Sequence, residues 1–293
     1  MSEAVFSVIV PTCSRDDALA LCLDQLRPEV QQIQAQVIVT DDGSSETTRR
    51  LIEGRYPFAT WTQGPRRGPA ANRNHGASLA TGDFMIFIDD DVFPSPELLQ
   101  AYKRAITDGV NVYEGRTTCR AGVHSPLETA PANETGGYLW SCNMMVRAEF
   151  FRTFGGFDED FRFAIMEDVA FRERLRAAGE TFPFVPAASV DHPPRKIPSA
   201  RRRTPVHESH FLYYYKYMGH GPTLRKYMME FANHNLRLIA RCPLGPDSIV
   251  ALGSRCLEAY YVLLHWRSWD RRYRGFARFR PSAVEFDARR LRP

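Results

Sequence analysis

Three acidic groups carry the chemical interest of this 293-residue chain: Asp41-Asp42, Asp89-Asp90-Asp91 and Glu167-Asp168. The first two directly follow stretches that read as β-strands, and the third follows a strand and a loop. In an open parallel α/β sheet the ligand lies at the carboxyl ends of the strands. Carboxylates massed at one edge repel one another unless something positive is bound among them. A hard divalent cation with a phosphorylated substrate meets that need, since Mg²⁺ or Mn²⁺ takes carboxylate and phosphate oxygens. A single Asp after a strand is better explained as a cap or turn former. Three in a row, directly after Phe84-Met85-Ile86-Phe87-Ile88, are not: a cap needs one carboxylate.

The elements that must position these groups alternate. Val5 to Val10 is a β-rich run ended by Pro11, followed by a helix over 15–27 with Leu19, Cys22, Leu23 and Leu26 at helical spacing. Gln36 to Thr40 is a second strand, and the acidic turn after it leads into a Ser-capped helix with Glu46 in its first turn. A short strand near Phe58 to Thr62, an Ala-rich helix from Pro69 to Ala80 and the strand Phe84 to Ile88 complete the alternation, which predicts a parallel sheet with helices on both faces. Residues 115–137 read as loop, Leu139 to Arg147 as a strand, and Glu167 to Ala178 as a helix ended by Gly179. Past Pro193-Pro194 the chain turns basic and aromatic, so a boundary is expected near 195. This gives an α/β domain over 1–194 and a helical, basic region over 195–293.

Composition bounds the rest. With 44% hydrophobic and 25% charged residues, a disordered or collagen-like chain is excluded. The most apolar window, Ile249 to His265, is interrupted by Arg255 and Glu258, so no membrane-spanning helix is expected. Met1-Ser2-Glu3-Ala4 offers no basic leader, which reads as a cytoplasmic chain, with peripheral contact at the cytoplasmic membrane face as a further expectation. Six cysteines without a C-x-x-C pair read as reduced and structural. The net charge of +4 divides into −9 over 1–194 and +13 over 195–293. Either the basic part meets phosphate, on membrane headgroups or a polyanionic substrate, or it neutralises the acidic body internally. Nucleic acid is not an expected partner of the acidic body.

Taken together, the motifs over roughly residues 5–194 resemble the family-2 glycosyltransferases, whose catalytic domain has the GT-A fold. Val8-Ile9-Val10-Pro11-Thr12 resembles the opening strand and nucleotide-binding turn, with Pro11 and Thr12 at the donor nucleotide. Asp41-Asp42-Gly43-Ser44 resembles the signature whose aspartate contacts the base, here Asp42. Arg73-Asn74-His75-Gly76 is similar to the helix that closes over the nucleotide. Phe87-Ile88-Asp89-Asp90-Asp91 matches the D-x-D motif; the resemblance puts Asp89 and Asp90 at the donor and Asp91 on the cation. Ser141-Cys142-Asn143-Met144 and Gly155-Gly156-Phe157-Asp158-Glu159 resemble acceptor-side segments, giving Asn143, Asp158 and Glu159. Glu167-Asp168 matches the E-D pair whose aspartate is the base, with Glu167 beside it on the acceptor side. His192 resembles a histidine found near the metal and diphosphate.

The resemblance implies an inverting transfer of a sugar from a nucleoside-diphosphate sugar, UDP favoured, to a hydroxyl of a glycan, lipid-linked precursor or small molecule. Mn²⁺ or Mg²⁺ would be its cofactor. An acceptor hydroxyl has a pKa far above 7, so a carboxylate must take its proton as the new bond forms. Like-charge crowding by Glu167 would raise the proton affinity of Asp168, whereas the helix N-terminus would lower it. A sugar nucleotidyltransferase would show a Gly-rich basic loop where Pro11-Thr12-Cys13-Ser14-Arg15 stands, and a dehydrogenase would show G-x-G-x-x-G. The reading from a different class is a non-catalytic scaffold that docks through its basic tail; intact acidic signatures speak against it. The mixed cations and aromatics after Arg201 suit a membrane interface, stacking on sugars, or packing against the body.

Overall fold

The computed structural model describes residues 5–242 and 245–276; Met1 to Ala4 and the Arg-rich stretch past 276 lie outside the described residues. The strands in chain order are β1 (Phe6–Thr12), β2 (Gln36–Asp41), β3 (Ala59–Gln63), β4 (Phe84–Ile88), β5 (Phe93–Pro94), β6 (Val112–Thr118), β7 (Glu128–Thr129), β8 (Asn143–Arg147), β9 (Phe184–Asp191) and β10 (Arg195–Lys196). The helices are α1 (Asp16–Ile33), α2 (Thr47–Arg55), α3 (Pro69–Ser78), α4 (Leu98–Ala105), α5 (Ala148–Thr153), α6 (Glu167–Ala177), α7 (Ala200–Arg203), α8 (His207–Tyr213), α9 (Leu224–Ala240) and α10 (Pro246–Tyr273).

An eight-stranded sheet runs in the order β3-β2-β1-β4-β8-β6-β9-β5. The half from β3 to β4 is parallel, as the strand–helix alternation predicts; β8 is antiparallel to both β4 and β6, and β9 returns parallel to β6. Strand alternation divides the core. Phe6, Val8 and Val10 of β1 pack with Leu19, Leu23 and Leu26 of α1 on one face, while Ile9 joins Phe87, Phe151, Phe157 and Phe171 on the other. With both faces covered, β1 and β4 are buried along their whole length, which is why β4 reads as an unbroken apolar run and β1 as one interrupted only by Ser7 before Pro11.

Two expectations need correction. The first helix continues through Pro28 to Ile33, because Glu29 and Val30 still face inward. Glu29 accepts hydrogen bonds from the backbone of Leu99 (3.0 Å) and Gln100 (2.9 Å), serving free N–H groups in the first turn of α4. The 115–137 span is not all loop: β6 extends to Thr118 and β7 lies within it. Tyr-Glu-Gly-Arg-Thr-Thr has no apolar run to announce a strand, and its burial comes from insertion between β8 and β9. The loop after β7 folds onto the buried carboxylate of Glu114, which accepts from Asn133 Nδ2 (2.7 Å) and the backbone N–H groups of Gly137 (2.6 Å), Tyr138 (2.7 Å) and Leu139.

Among the described residues beyond 195, the regular elements are helices apart from β10, which pairs antiparallel with β7. The aromatic stretch is used for packing. Leu212 and Tyr213 join Phe161 and Ala170, and Phe211 clusters with Tyr227, Val262 and Trp269. Tyr217 donates to Asp158 Oδ2 at 2.8 Å.

Candidate active site

The end of β4 delivers three consecutive carboxylates, and strand geometry sends them different ways. Asp90 is buried; it accepts from Thr12 Oγ1 at 2.6 Å and pairs with Arg15 at 2.7 Å. Burial pushes its carboxyl up to about 7, against the pull of Arg15. Asp91 Oδ2 lies 2.8 Å from Arg15 and 3.0 Å from Arg195. Its Oδ1 is buried with no hydrogen-bond partner and faces His192 Nε2 at 3.5 Å.

The histidine's partners fix its tautomer. Nδ1 lies 3.0 Å from the Pro193 carbonyl oxygen and Nε2 lies 2.8 Å from an Arg195 nitrogen. A carbonyl only accepts and a guanidinium only donates, so Nδ1 carries the proton and Nε2 presents a lone pair. Ligand atoms of Asp89, Asp91 and His192 all fall within 4.8 Å of one another. Two acceptors facing across 3.5 Å, with the Asp89 carboxylate as a third ligand group beside them, form a donor set that fits a hard divalent cation.

A single buried guanidinium joins this end of the sheet to the next pair of carboxylates. Arg73 projects from α3, donating to Asp89 at 2.7 Å and to Glu167 at 3.1 Å. Met166, at φ 74° in the left-handed region, turns the chain directly before α6, so that Glu167 enters the interior while Asp168 stays half-buried. Asp168 Oδ1 accepts from the Val169 backbone at 2.7 Å. Burial raises the Asp168 pKa above its usual value despite that bond and despite Arg73, so desolvation outweighs the helix terminus. Burial and the Asp168 charge push Glu167 up to about 8. One guanidinium cannot neutralise three carboxylates, and the Glu167–Asp168 pair holds a proton more tightly for that reason.

At the end of β2, Asp42 is engaged by the loop between β3 and α3: its oxygens accept from the Arg66 (2.8 Å) and Gly68 (3.3 Å) backbones. Neighbouring Asp41 accepts from the Gly43 N–H at 2.7 Å through Oδ1, and its buried Oδ2 has no partner. Gly68 has a φ of 100°, and a Cβ there would stand 2.3 Å from the Arg162 carbonyl oxygen, so only glycine lets this loop reach α3.

The residues expected on the donor side therefore fall together around the ends of β1, β2 and β4, though several are turned inward. Pro11 is buried within β1, Thr12 is spent on Asp90, and Arg73 links carboxylates. On the acceptor side, Asn143 sits in the sheet interior with its amide engaged by Tyr102, Arg116 and Ala188, which makes it a cross-tie between strands. Asp158 is held by Lys216 (2.7 Å) and Tyr217, whereas Glu159 takes Asn74 (3.0 Å) and Arg67 (2.8 Å) at the surface of the same loop. From sequence, Arg15 and Arg195 are given no role, and of the Asp41-Asp42 pair Asp42 alone is taken for the base contact. A basic residue soon after each of the two motifs, Pro11-Thr12 and His192-Pro193-Pro194, was the available signal.

The sequence profile of "Glycosyl transferase family 2" matches residues 7–166, more than half of the chain. Over 205 residues the chain is 28% identical to the pre-mycofactocin glycosyltransferase of Mycobacterium tuberculosis, covering 64% of this chain and 42% of that protein. Over 223 residues it is 27% identical to the validoxylamine A glucosyltransferase of Streptomyces hygroscopicus subsp. limoneus, covering 60% and 48%. The chain thus matches less than half the length of these relatives. Among solved structures, the mannosyltransferase PcManGT of Pyrobaculum calidifontis, in complex with GDP-Man and Mn2+, superposes with a TM-score of 0.50 at 18% identity, over 95% of this chain and 77% of that one. S. aureus TarS residues 1–349 superpose at 0.53 and 15% identity, over 90% and 73%. The fold is that of the GT-A glycosyltransferases, and the chain belongs to glycosyl transferase family 2.

Proposed function

We propose that this glycosyltransferase moves a sugar, with inversion, from a nucleoside-diphosphate sugar to an acceptor hydroxyl. UDP is the favoured carrier, and a glycan, a lipid-linked precursor or a small molecule is the acceptor. The observation that carries the reading is Arg73, which holds the cation-binding end of β4 and the Glu167–Asp168 pair as one unit. Asp89, Asp91 and His192 would hold Mn²⁺ or Mg²⁺, which as a Lewis acid would offset the charge growing on the departing diphosphate. The nucleotide sugar and Mn2+ held by the structural neighbour support this pairing.

Asp168 takes the acceptor proton. The acceptor oxygen bonds to C1 of the sugar as the bond from C1 to the diphosphate oxygen breaks, and the nucleoside diphosphate leaves with the electron pair. Arg15 and Arg195, which pair with Asp90 and Asp91, would supply side-chain cations to the diphosphate oxygens. Asp41 Oδ2, buried and without a partner, is the acceptor a nucleobase N–H would use, with Asp42 bracing the loop beside it. The test is donor hydrolysis: UDP-, GDP- and dTDP-sugars with Mn²⁺ or with EDTA. Metal-dependent release from one nucleotide class, lost in Asp91→Ala, supports the reading. Absence of both release and nucleotide binding by folded protein overturns it.

A further inference from the structure

Helix α10 is apolar on two opposite sides. Ala251, Val262 and Trp269 are buried where it packs on α7, α8 and α9. Ile249, Val250, Leu257, Tyr260, Leu263 and Leu264 recur at helical spacing on the other side and are 46% to 75% exposed. A helix apolar all round is normally buried all round. Isolated exposed hydrophobics are ordinary, but a continuous stripe marks a surface that meets something. This one runs for about 24 Å at 1.5 Å per residue. On the same side, four residues apart, the exposed residues Arg267 and Arg271 continue it.

The surrounding charge is one-sided. Helix α7, tied to α10 through Arg203 and Glu258, exposes Arg201 and Arg202. Among the described residues after 195, the exposed acids are Glu230 and Asp247; the first lies 3.9 Å from Lys226 and the second accepts from Ser125 Oγ at 2.6 Å. No described helix is long and apolar enough to cross a membrane.

We propose that α10 lies flat on an anionic lipid surface, its apolar stripe in the acyl boundary and its arginines among headgroup phosphates. The cationic end decides the occupant. A second copy pairing in parallel through the stripe would set Arg267 and Arg271 against their own counterparts, whereas phosphates neutralise them. This surface is distinct from the aromatic stretch 210–217, of which Phe211, Leu212 and Tyr213 are buried and the others half-buried.

The test is flotation of the full chain with vesicles of phosphatidylcholine alone, or of equal parts phosphatidylcholine and phosphatidylglycerol. Flotation with the anionic vesicles alone is expected, falling about fivefold for each of Arg267→Ala and Arg271→Ala. The pair Leu257→Asp with Leu264→Asp should weaken it by more than about tenfold, with helix content by circular dichroism and donor hydrolysis unchanged. Asp91→Ala should float like the parent, so membrane binding is tested apart from the transferase reading. No flotation, or flotation that survives the leucine substitutions, overturns the proposal. A dimer in sedimentation equilibrium that the same substitutions make monomeric overturns it too, by placing a second copy on the stripe.

Discussion

Arg195 donates a hydrogen bond of 2.8 Å to Nε2 of His192, so the lone pair suited to a metal is held by an arginine. The same guanidinium lies 3.0 Å from Asp91, and Arg15 lies 2.8 Å from it on the other side. Two side-chain cations thus bear on the carboxylate that a divalent ion would use.

Removing one of them has opposite effects on two ligands. Arg195→Ala should bind Mn²⁺ alone more tightly, by up to about fivefold for a partly exposed ion pair. It should bind a nucleoside diphosphate with Mn²⁺ about tenfold more weakly, since charge-assisted bonds to phosphate are lost. Titration calorimetry of the two cases separates them; a change of the same sign in both would show that Arg195 serves only the fold.

Arg73 should be intolerant of change. Arg73→Met leaves Asp89 and Glu167 without their buried counter-charge, and about 3–5 kcal/mol of stability should be lost in urea unfolding. Arg73→Lys keeps the charge but not the fork that reaches both carboxylates, so an intermediate loss is expected. A lysine variant as stable as the parent would show that the bridge is dispensable.

The base sets the pH dependence. In the proposed reaction Asp168 would work as the carboxylate, so turnover would fall as pH falls through its pKa, which burial holds above the usual 3.8. The acid limb of kcat/KM should therefore lie above 3.8, and Glu167→Gln should leave it in place, because Glu167, pushed up to about 8, already carries its proton in that range. Asp168→Asn should lower kcat by about 10²–10⁴-fold while nucleotide binding with Mn²⁺ persists. A limb at or below 3.8, or an active Asp168→Asn, would remove Asp168 from this role.

Glu114 supports the loop before β8 from below. Glu114→Gln puts an amide N–H₂ among backbone donors and should cost about 1–3 kcal/mol in denaturant unfolding. An unchanged midpoint would mean that the 133–139 loop stands without it.

The parallel half of the fold and its acidic groups were legible because strands alternate with helical patterns and two apolar runs stop at aspartates, Val37 to Val39 shortly before Asp41 and Phe84 to Ile88 at Asp89. Strand β6 was not, since Glu114, Arg116 and Thr118 have the composition of a loop and become strand only through β8 and β9. Arg73 could be found from its motif, but its two partners lie 16 and 94 residues away, and spacing carries no sign of that bridge. Arg15 and Arg195 escaped for the same reason: a guanidinium's partner is chosen in three dimensions. The aromatic stretch left packing and membrane contact open, and packing of Phe211, Leu212 and Tyr213 was decided by the body's Phe161 and Ala170 and by the helical region's own cluster around Trp269.

The short pairing of β10 with β7 has a consequence for how such a protein diversifies. Arg195 belongs to β10, and its register partner Thr129 sits inside the long connection between β6 and β8. Lengthening or trimming that connection would move β7, and with it the arginine that competes for Asp91 and His192. A connection free to vary in length is thereby geared to the charge at the centre of the site, so a lineage that reshapes this loop shifts the balance of charge at Asp91 and His192 in the same step.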